Sequence, residues 1–154
     1  MNKILVLVMS HKTDDEIFKT FKKIWDQKIE SIKNKFIVDI LFLYSDNNIS
    51  EEFIVDGNEL TSKCEENYWQ SLLTKTINGF NYFNKNDYDL VFKTNLSTLI
   101  NFDKFCSYCN NLNCDDFIYE GSVGNYLGYE FCSGAGMLLN KKTVNIVLNN
   151  IDKI

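Results

Sequence analysis

Apolar and polar positions along this chain follow two periods, and the switches between them lay out its elements. Ile4 to Met9 is an unbroken apolar run, the pattern of a strand covered on both faces. Thr13 and Glu16 then make a capping-box pattern. Behind it Ile17, Phe18, Phe21, Ile24 and Trp25 share one helical face, with Lys19, Lys22 and Lys23 on the other. Phe36 to Tyr44 reads as a second buried strand with Asp39 its only charge, closed by the turn signal Ser45-Asp46-Asn47-Asn48. The weakly patterned stretch from Ile49 to Cys64 is expected to be mostly loop. Helical spacing returns from Glu65, placing Trp69, Leu72, Leu73, Ile77 and Phe80 on one face, and Asn84 to Asp87 is a loop. Tyr88 to Lys93 predicts a third strand ending at Thr94-Asn95-Leu96-Ser97, followed by a helix over Phe102 to Asn111. Short strands at Phe117–Tyr119 and Met137–Leu139 and a closing helix over Lys141–Ile151 complete the pattern.

Strands alternating with helices predict an α/β fold, a mostly parallel sheet flanked by helices. Ligands of such sheets bind outside the carboxyl ends of the strands. Those ends are Ser10-His11-Lys12, Ser45-Asp46 and Thr94 to Ser97, all hydrogen-bonding and expected on one edge.

The 154 residues suit one domain, and 45% apolar with 14% aromatic residues is enough for a packed core. Sixteen basic against twenty-one acidic residues, net −5 and unclustered, argue against a nucleic-acid partner. The first apolar run is six residues, short of a signal peptide, and no stretch reaches the roughly 20 apolar residues of a membrane span. A cytoplasmic location is therefore expected. Five cysteines at irregular spacing fit reduced thiols better than a disulfide framework. Cys106, Cys109 and Cys114 invite a zinc reading, but the helical spacing puts the first two on an apolar face with Phe102 and Phe105, and core packing is the better account. His11 is the only histidine, so a histidine-based metal cluster is excluded.

Three segments carry a family likeness. Tyr88-Asp89-Leu90-Val91-Phe92-Lys93-Thr94-Asn95-Leu96-Ser97-Thr98 resembles the "Y-D-(apolar)3-K-x-D-D-D-t" strand of β-1,3-galactosyltransferase-like enzymes. Leu72-Leu73-Thr74-Lys75-Thr76, after Tyr68-Trp69, is similar to their "N-L-T-x-K-T" helix. Phe131-Cys132-Ser133-Gly134-Ala135-Gly136-Met137-Leu138-Leu139 is similar to their "Y-C-S-G-G-G-Y-v-L" segment. The order is the family's. The resemblance implies a GT-A fold over residues 1–154, a nucleotide-diphosphate-sugar donor such as a UDP- or GDP-sugar, and a glycan or protein hydroxyl as acceptor. In the family, aspartates after the third strand hold Mn²⁺ or Mg²⁺ against the diphosphate. Here those positions are Asn95, Leu96 and Ser97, which offer no carboxylate, so no metal ligand is assigned. Transfer without metal, or with a weakly held ion, is the expectation. The family's catalytic base lies downstream of the Ser-Gly segment, about where this chain ends at Ile154. Either the base lies elsewhere or the domain is truncated at its C-terminus.

The resemblance and the strand ends together place Ser10, His11, Lys12, Asp46, Lys75, Lys93, Asn95 and Ser97 at the nucleotide sugar. They place Ser133, Gly134 and Gly136 at the sugar or acceptor. Lys75 and Lys93 would supply positive charge in place of a metal; otherwise they are solvated lysines at element ends. Asp46 would accept from a ribose or base, or serve an Asx turn. Gly134 and Gly136 would permit close backbone approach to a sugar, or simply a turn before the last strand. Glu120 and Glu130 are the in-chain candidates for a catalytic base, with solvated acids as the alternative. Tyr126 and Tyr129 could stack on a pyranose face. A non-catalytic nucleotide-sugar or glycan binding module is the second reading. Another nucleotide-binding α/β protein is the third, weakened by the lack of a G-x-G-x-x-G or P-loop after the first strand.

Overall fold

The run Ile4–Met9 forms β1, and its residues are almost wholly removed from solvent. In the computed structural model, which describes residues 1–67 and 69–153 except for the side chains of Tyr126, Tyr129 and Phe131, β1 lies mid-sheet with a parallel neighbour on each side. β2 (Val38–Ser45) pairs with it from Ile4↔Val38, and β5 (Leu90–Asn95) from Ile4↔Leu90. Side-chain alternation divides the core in two. Ile4, Val6 and Val8 face α1 (Glu16–Ile32) and α3 (Phe102–Asn110); Leu5, Leu7 and Met9 face α2 (Gln70–Lys85) and α4 (Lys141–Asn149). Helices on both faces are what a strand without a polar face requires.

The remaining strands are β3 (Phe53–Asp56), β4 (Glu59–Ser62), β6 (Tyr119–Tyr126) and β7 (Tyr129–Asn140), and the order is β3-β4-β2-β1-β5-β7-β6. β4, β2, β1 and β5 run parallel, but three of the six pairings are antiparallel. The expected mostly parallel sheet is therefore a mixed one, because each edge is a hairpin.

Both hairpins correct the sequence reading. The expected loop from Ile49 to Cys64 contains β3 and β4, joined at Gly57 with φ 55°. The two-residue loop is Gly57-Asn58, between the paired Asp56 and Glu59, and glycine first in such a loop is a hairpin signal. β4 hides because Thr61 and Ser62 are polar yet buried. Of the short strands expected at Phe117–Tyr119 and Met137–Leu139, the first overlaps β6 only at Tyr119 and the second lies within β7, and the two strands form one long hairpin turned at Leu127 (φ 51°) and Gly128 (φ 84°). Gly134 and Gly136 are accordingly interior to β7 and form no turn. A Cβ on Gly136 would stand 2.8 Å from Phe92 Cζ, and one on Gly121 would stand 2.1 Å from the Gly136 carbonyl oxygen. Close packing, not chain reversal, requires these glycines.

Helix details also shift. Asp15 caps α1, its Oδ1 accepting from the Ile17 amide at 2.7 Å, while Thr13 Oγ1 accepts from the Asp15 amide; Thr13 and Glu16 do not form the expected box. Ile17 is exposed, and Phe18, Phe21, Trp25, Ile29 and Ile32 make the packed face. The face of α2 is rotated from expectation: Trp69 is 76% exposed and Leu73 largely so, whereas Ser71, Lys75, Asn78 and Gly79 are buried. Gly79 allows this by admitting Leu7, whose Cδ1 would lie 2.7 Å from an added Cβ. Cys106 and Cys109 pack in the core beside Trp25 and Phe102, and burial pushes their thiols up to about 11 and about 12. Among the described residues no group of three or more His, Cys, Asp or Glu is placed to hold a metal.

The two kinds of glycine contact predict different outcomes. Gly121→Ala meets backbone that cannot move aside and should lose about 2–3 kcal/mol of stability. Gly79→Ala meets only the tip of Leu7 and gains helix propensity, so it should stay within about 1 kcal/mol of wild type. Denaturant melts of both variants check the contrast.

Candidate functional site

Strand order reverses beside β1. The chain leaves it through α1 to β2 on one side and returns through α2 to β5 on the other, so the β1–β5 border is the topological switch point where α/β sheets open a crevice. The strand tips are laced together there. The Leu96 amide donates to Met9 O at 3.1 Å, the Ser10 amide to Leu43 O at 3.1 Å, and the Trp25 indole N–H to Leu96 O at 2.8 Å.

Two clefts open at this edge with Ser10, His11 and Phe18 as their common wall. His11 is half-buried, its ring edge-on to Phe18 at 4.0 Å. The first cleft, about 400 Å³, lies over Tyr44 and Leu96 and carries Lys12, Lys19, Lys22 and Lys23 together with Asp26 and Glu59. Lys22 Nζ pairs with Asp26 at 2.6 Å and sits 4.2 Å from the Phe42 ring centre; Lys12 Nζ is 5.7 Å from that of Tyr44. The second cleft, about 460 Å³, has Met9 and Leu72 as its apolar lining and Glu66, Asn67 and Lys75 as its polar one.

Lys75 is 1% exposed. Its ammonium donates to Ser10 O at 2.9 Å and to both Glu66 oxygens, at 2.8 and 3.1 Å. Glu66 also accepts from the Ser45 and Ser71 hydroxyls. Burial by itself would raise the Glu66 carboxyl, but the bonds from Lys75, Ser45 and Ser71 outweigh it and hold the group below the usual carboxylate range. The network joins β1, β2, α2 and the segment before α2, so Lys75 reaches the edge through Ser10 and Glu66 rather than as a free ammonium. Glu66 lies nine positions before Lys75, a separation no element period marks, so its role is not visible in the sequence pattern.

The other expected residues divide. Asp46 is in an Asx turn, with Oδ1 accepting from the Asn48 amide at 2.9 Å and from its side chain at 3.0 Å, and these bonds lower its carboxyl. Asn95 to Thr98 form a turn closed by the Thr98 amide on Asn95 O, in which Leu96 is buried and Ser97 exposed. Lys93 Nζ approaches Asn95 Oδ1 at 3.5 Å. An added Cβ on Gly134 would stand 3.5 Å from Asn95 Nδ2 and 3.6 Å from Lys93 Nζ, so the three form a cluster. Ser133 is beside it, its Oγ accepting from the Ala135 amide, and Thr94 Oγ1 donates to Ala135 O at 2.7 Å.

The two glutamates do not join this edge. Glu120 is in register with Leu138 and accepts from the Tyr108 hydroxyl of α3. Glu130, exposed, pairs with Asn125 near the hairpin turn, five positions and roughly 16 Å further along the ladder. The stacking expected of Tyr126 and Tyr129 concerns side chains outside those described, and Tyr68 and Ile154 lie outside the described residues.

The donor set does not fit a Mn²⁺ or Mg²⁺ ion. Of Asn95, Leu96 and Ser97 at the end of β5, Leu96 is turned into the core, the others supply an amide and a hydroxyl, and the Lys93 ammonium stands against the amide oxygen. Among the described residues no helix is long and apolar enough to cross a membrane. Comparison with protein-family models and with curated proteins finds no match to the chain.

Lys75→Met would leave Glu66 without its cation and Ser10 O without its donor. A loss of about 2 kcal/mol is expected, less than for a fully enclosed pair because Glu66 is partly solvated. Because the folded carboxyl is depressed, its stabilisation is present above the unfolded pKa, near 4.5, and is lost as pH falls through the folded one. Acid titrations of stability should show this limb in the wild type and not in Lys75→Met.

Proposed function

We propose that this chain is the nucleotide-sugar-binding domain of a GT-A-fold glycosyltransferase, moving a sugar from a UDP- or GDP-sugar to a hydroxyl of a glycan or protein. One observation carries the reading: a chain of net charge −5 gathers four lysines, against the two acids Asp26 and Glu59, around a cleft at the strand-end edge beside its topological switch point. A local excess of positive charge on an acidic protein draws an anionic ligand to this edge, and Tyr44 and Leu96 offer apolar surface for a nucleoside. The three ordered segments that resemble β-1,3-galactosyltransferase-like enzymes favour the same ligand. Transfer would proceed without a tightly held metal, with lysines meeting the phosphate charge.

A binding module without catalysis is the second reading. It is favoured by the placement of the carboxylates, since Glu66 is engaged by Lys75, Glu120 by Tyr108, and Glu130 is at the hairpin tip. Turnover separates the two readings: release of free nucleoside diphosphate in the presence of a hydroxyl acceptor supports the enzyme.

Calorimetric titration with UDP, GDP and their sugar conjugates should give micromolar binding for one nucleotide, unchanged by EDTA or Mn²⁺. Replacing Lys12 and Lys23 together by Glu should weaken it about tenfold or more, since the reversal removes the local positive potential that draws an anion to this edge. Silence toward every nucleotide would sink the reading, and loss of binding in EDTA would sink its metal-free form.

A further inference from the structure

Lys93 sits two residues before the end of β5, opposite Met137 of β7 and beside Leu7 of β1. By strand alternation it shares a sheet face with Val91 and Asn95, the face covered by α2 and α4. The lysine-lined cleft lies on the other side of the edge, among residues that pack with α1. Lys93 is half-buried, and no carboxylate among the described residues pairs with it. Its polar contact is the Asn95 amide oxygen at 3.5 Å, long for a hydrogen bond. A cation removed from water without an opposite charge is costly, and such groups are paired in stable proteins. Burial accordingly lowers the Lys93 ammonium from its ordinary range. Lys75 presents the contrast: more deeply buried, it holds a carboxylate.

The ammonium borders an exposed glycine. Gly134 is exposed, and the position its Cβ would occupy is within 4 Å of Lys93 Nζ, Asn95 Nδ2 and Asn95 Oδ1. With Oδ1 toward Lys93, the Asn95 amide turns its Nδ2 donors toward that space. An ammonium, an amide donor and a missing side chain thus converge at the carboxyl end of β5, next to the switch point. An oxyanion there would supply the absent negative charge and fill the second donor.

We propose that Lys93, Asn95 and Gly134 form a phosphoryl-binding subsite on the α2/α4 side of the edge, in which the Lys93 ammonium, and not that of Lys75, neutralises the diphosphate of the ligand. The assignment rests on the nucleotide-sugar reading for the identity of the ligand, though not for the charge it must carry. Gly134 keeps the subsite accessible, and Asn95 orients the anion against the cation.

Isothermal titration of the full chain with inorganic pyrophosphate, UDP, GDP, uridine and guanosine tests it. Wild type should bind pyrophosphate, and should prefer the diphosphate to its nucleoside. Lys93→Met should weaken pyrophosphate and diphosphate by about 10- to 100-fold while leaving the nucleoside unchanged. Lys93→Arg should retain most of the preference. Gly134→Val keeps the charge but fills the space, and should weaken the same ligands; circular dichroism and a denaturant midpoint establish that each variant is folded. Pyrophosphate binding that needs Lys93 in a chain blind to nucleotides would uphold the subsite and remove the nucleotide reading. Diphosphate preference unchanged in folded Lys93→Met and Gly134→Val would overturn the subsite and leave the nucleotide reading standing. Absence of pyrophosphate binding to wild type would overturn it as well.

Discussion

A strand hydrogen-bonded on both edges and covered on both faces can present chemistry only at its ends, and β1 imposes that constraint on the whole molecule. From Ile4 to Val8 it has essentially no contact with water. Its flanking strands, β2 and β5, are held in parallel register by its backbone, so their carboxyl ends arrive at the same edge. The first polar side chain that β1 offers is Ser10, and the corresponding groups of its neighbours are Ser45 and Asn95. Parallel pairing therefore gathers the hydrogen-bonding residues on one side, and the bonds among Leu43, Met9, Leu96 and Trp25 hold the tips at fixed spacing.

Charge at that edge is arranged by depth. Lysines of the first cleft belong to the β1–α1 loop and the solvent side of α1, where their ammonium groups stay hydrated and cost little to keep. Lys75 is enclosed and is tolerable because Glu66 and Ser10 O satisfy it. That network also fixes α2: rotation to bury Trp69 and Leu73 would pull Lys75 from its partners and Gly79 from Leu7. Lys93 is intermediate, enclosed enough for burial to matter and without a carboxylate partner among the described residues.

The antiparallel hairpin β6–β7 extends this edge on one side. Its β7 strand pairs with β5 as far as Lys93 and runs beyond it, which carries Ser133 and Gly134 up to Asn95. Contact between Gly121 and the Gly136 carbonyl, with the register shift between Gly121 and Val123, lets β6 follow β7 without side chains between them. Glu120 is left on the α3 side and Glu130 near the tip, so the hairpin brings small polar residues and not acids to the edge.

By itself the sequence determined the α/β class, β1, β2, β5 and four helices, because a continuous apolar run or a 3.6-residue stripe reports local burial directly. It also determined that Ser10, His11, Asn95 and their neighbours end strands on one edge, since parallel strands leave no other arrangement. The tertiary structure decided what periodicity cannot encode. Thr61 and Ser62 are polar yet buried in β4, which has a strand on each side. Lys75 is a buried partner of Glu66, and Gly134 lies against Lys93, though each looked from its residue type like something else. Lys75 is buried by what it bonds to. Where those partners are distant in sequence, as Ser10 is from Lys75 or Lys93 from Gly134, only the folded chain brings them together.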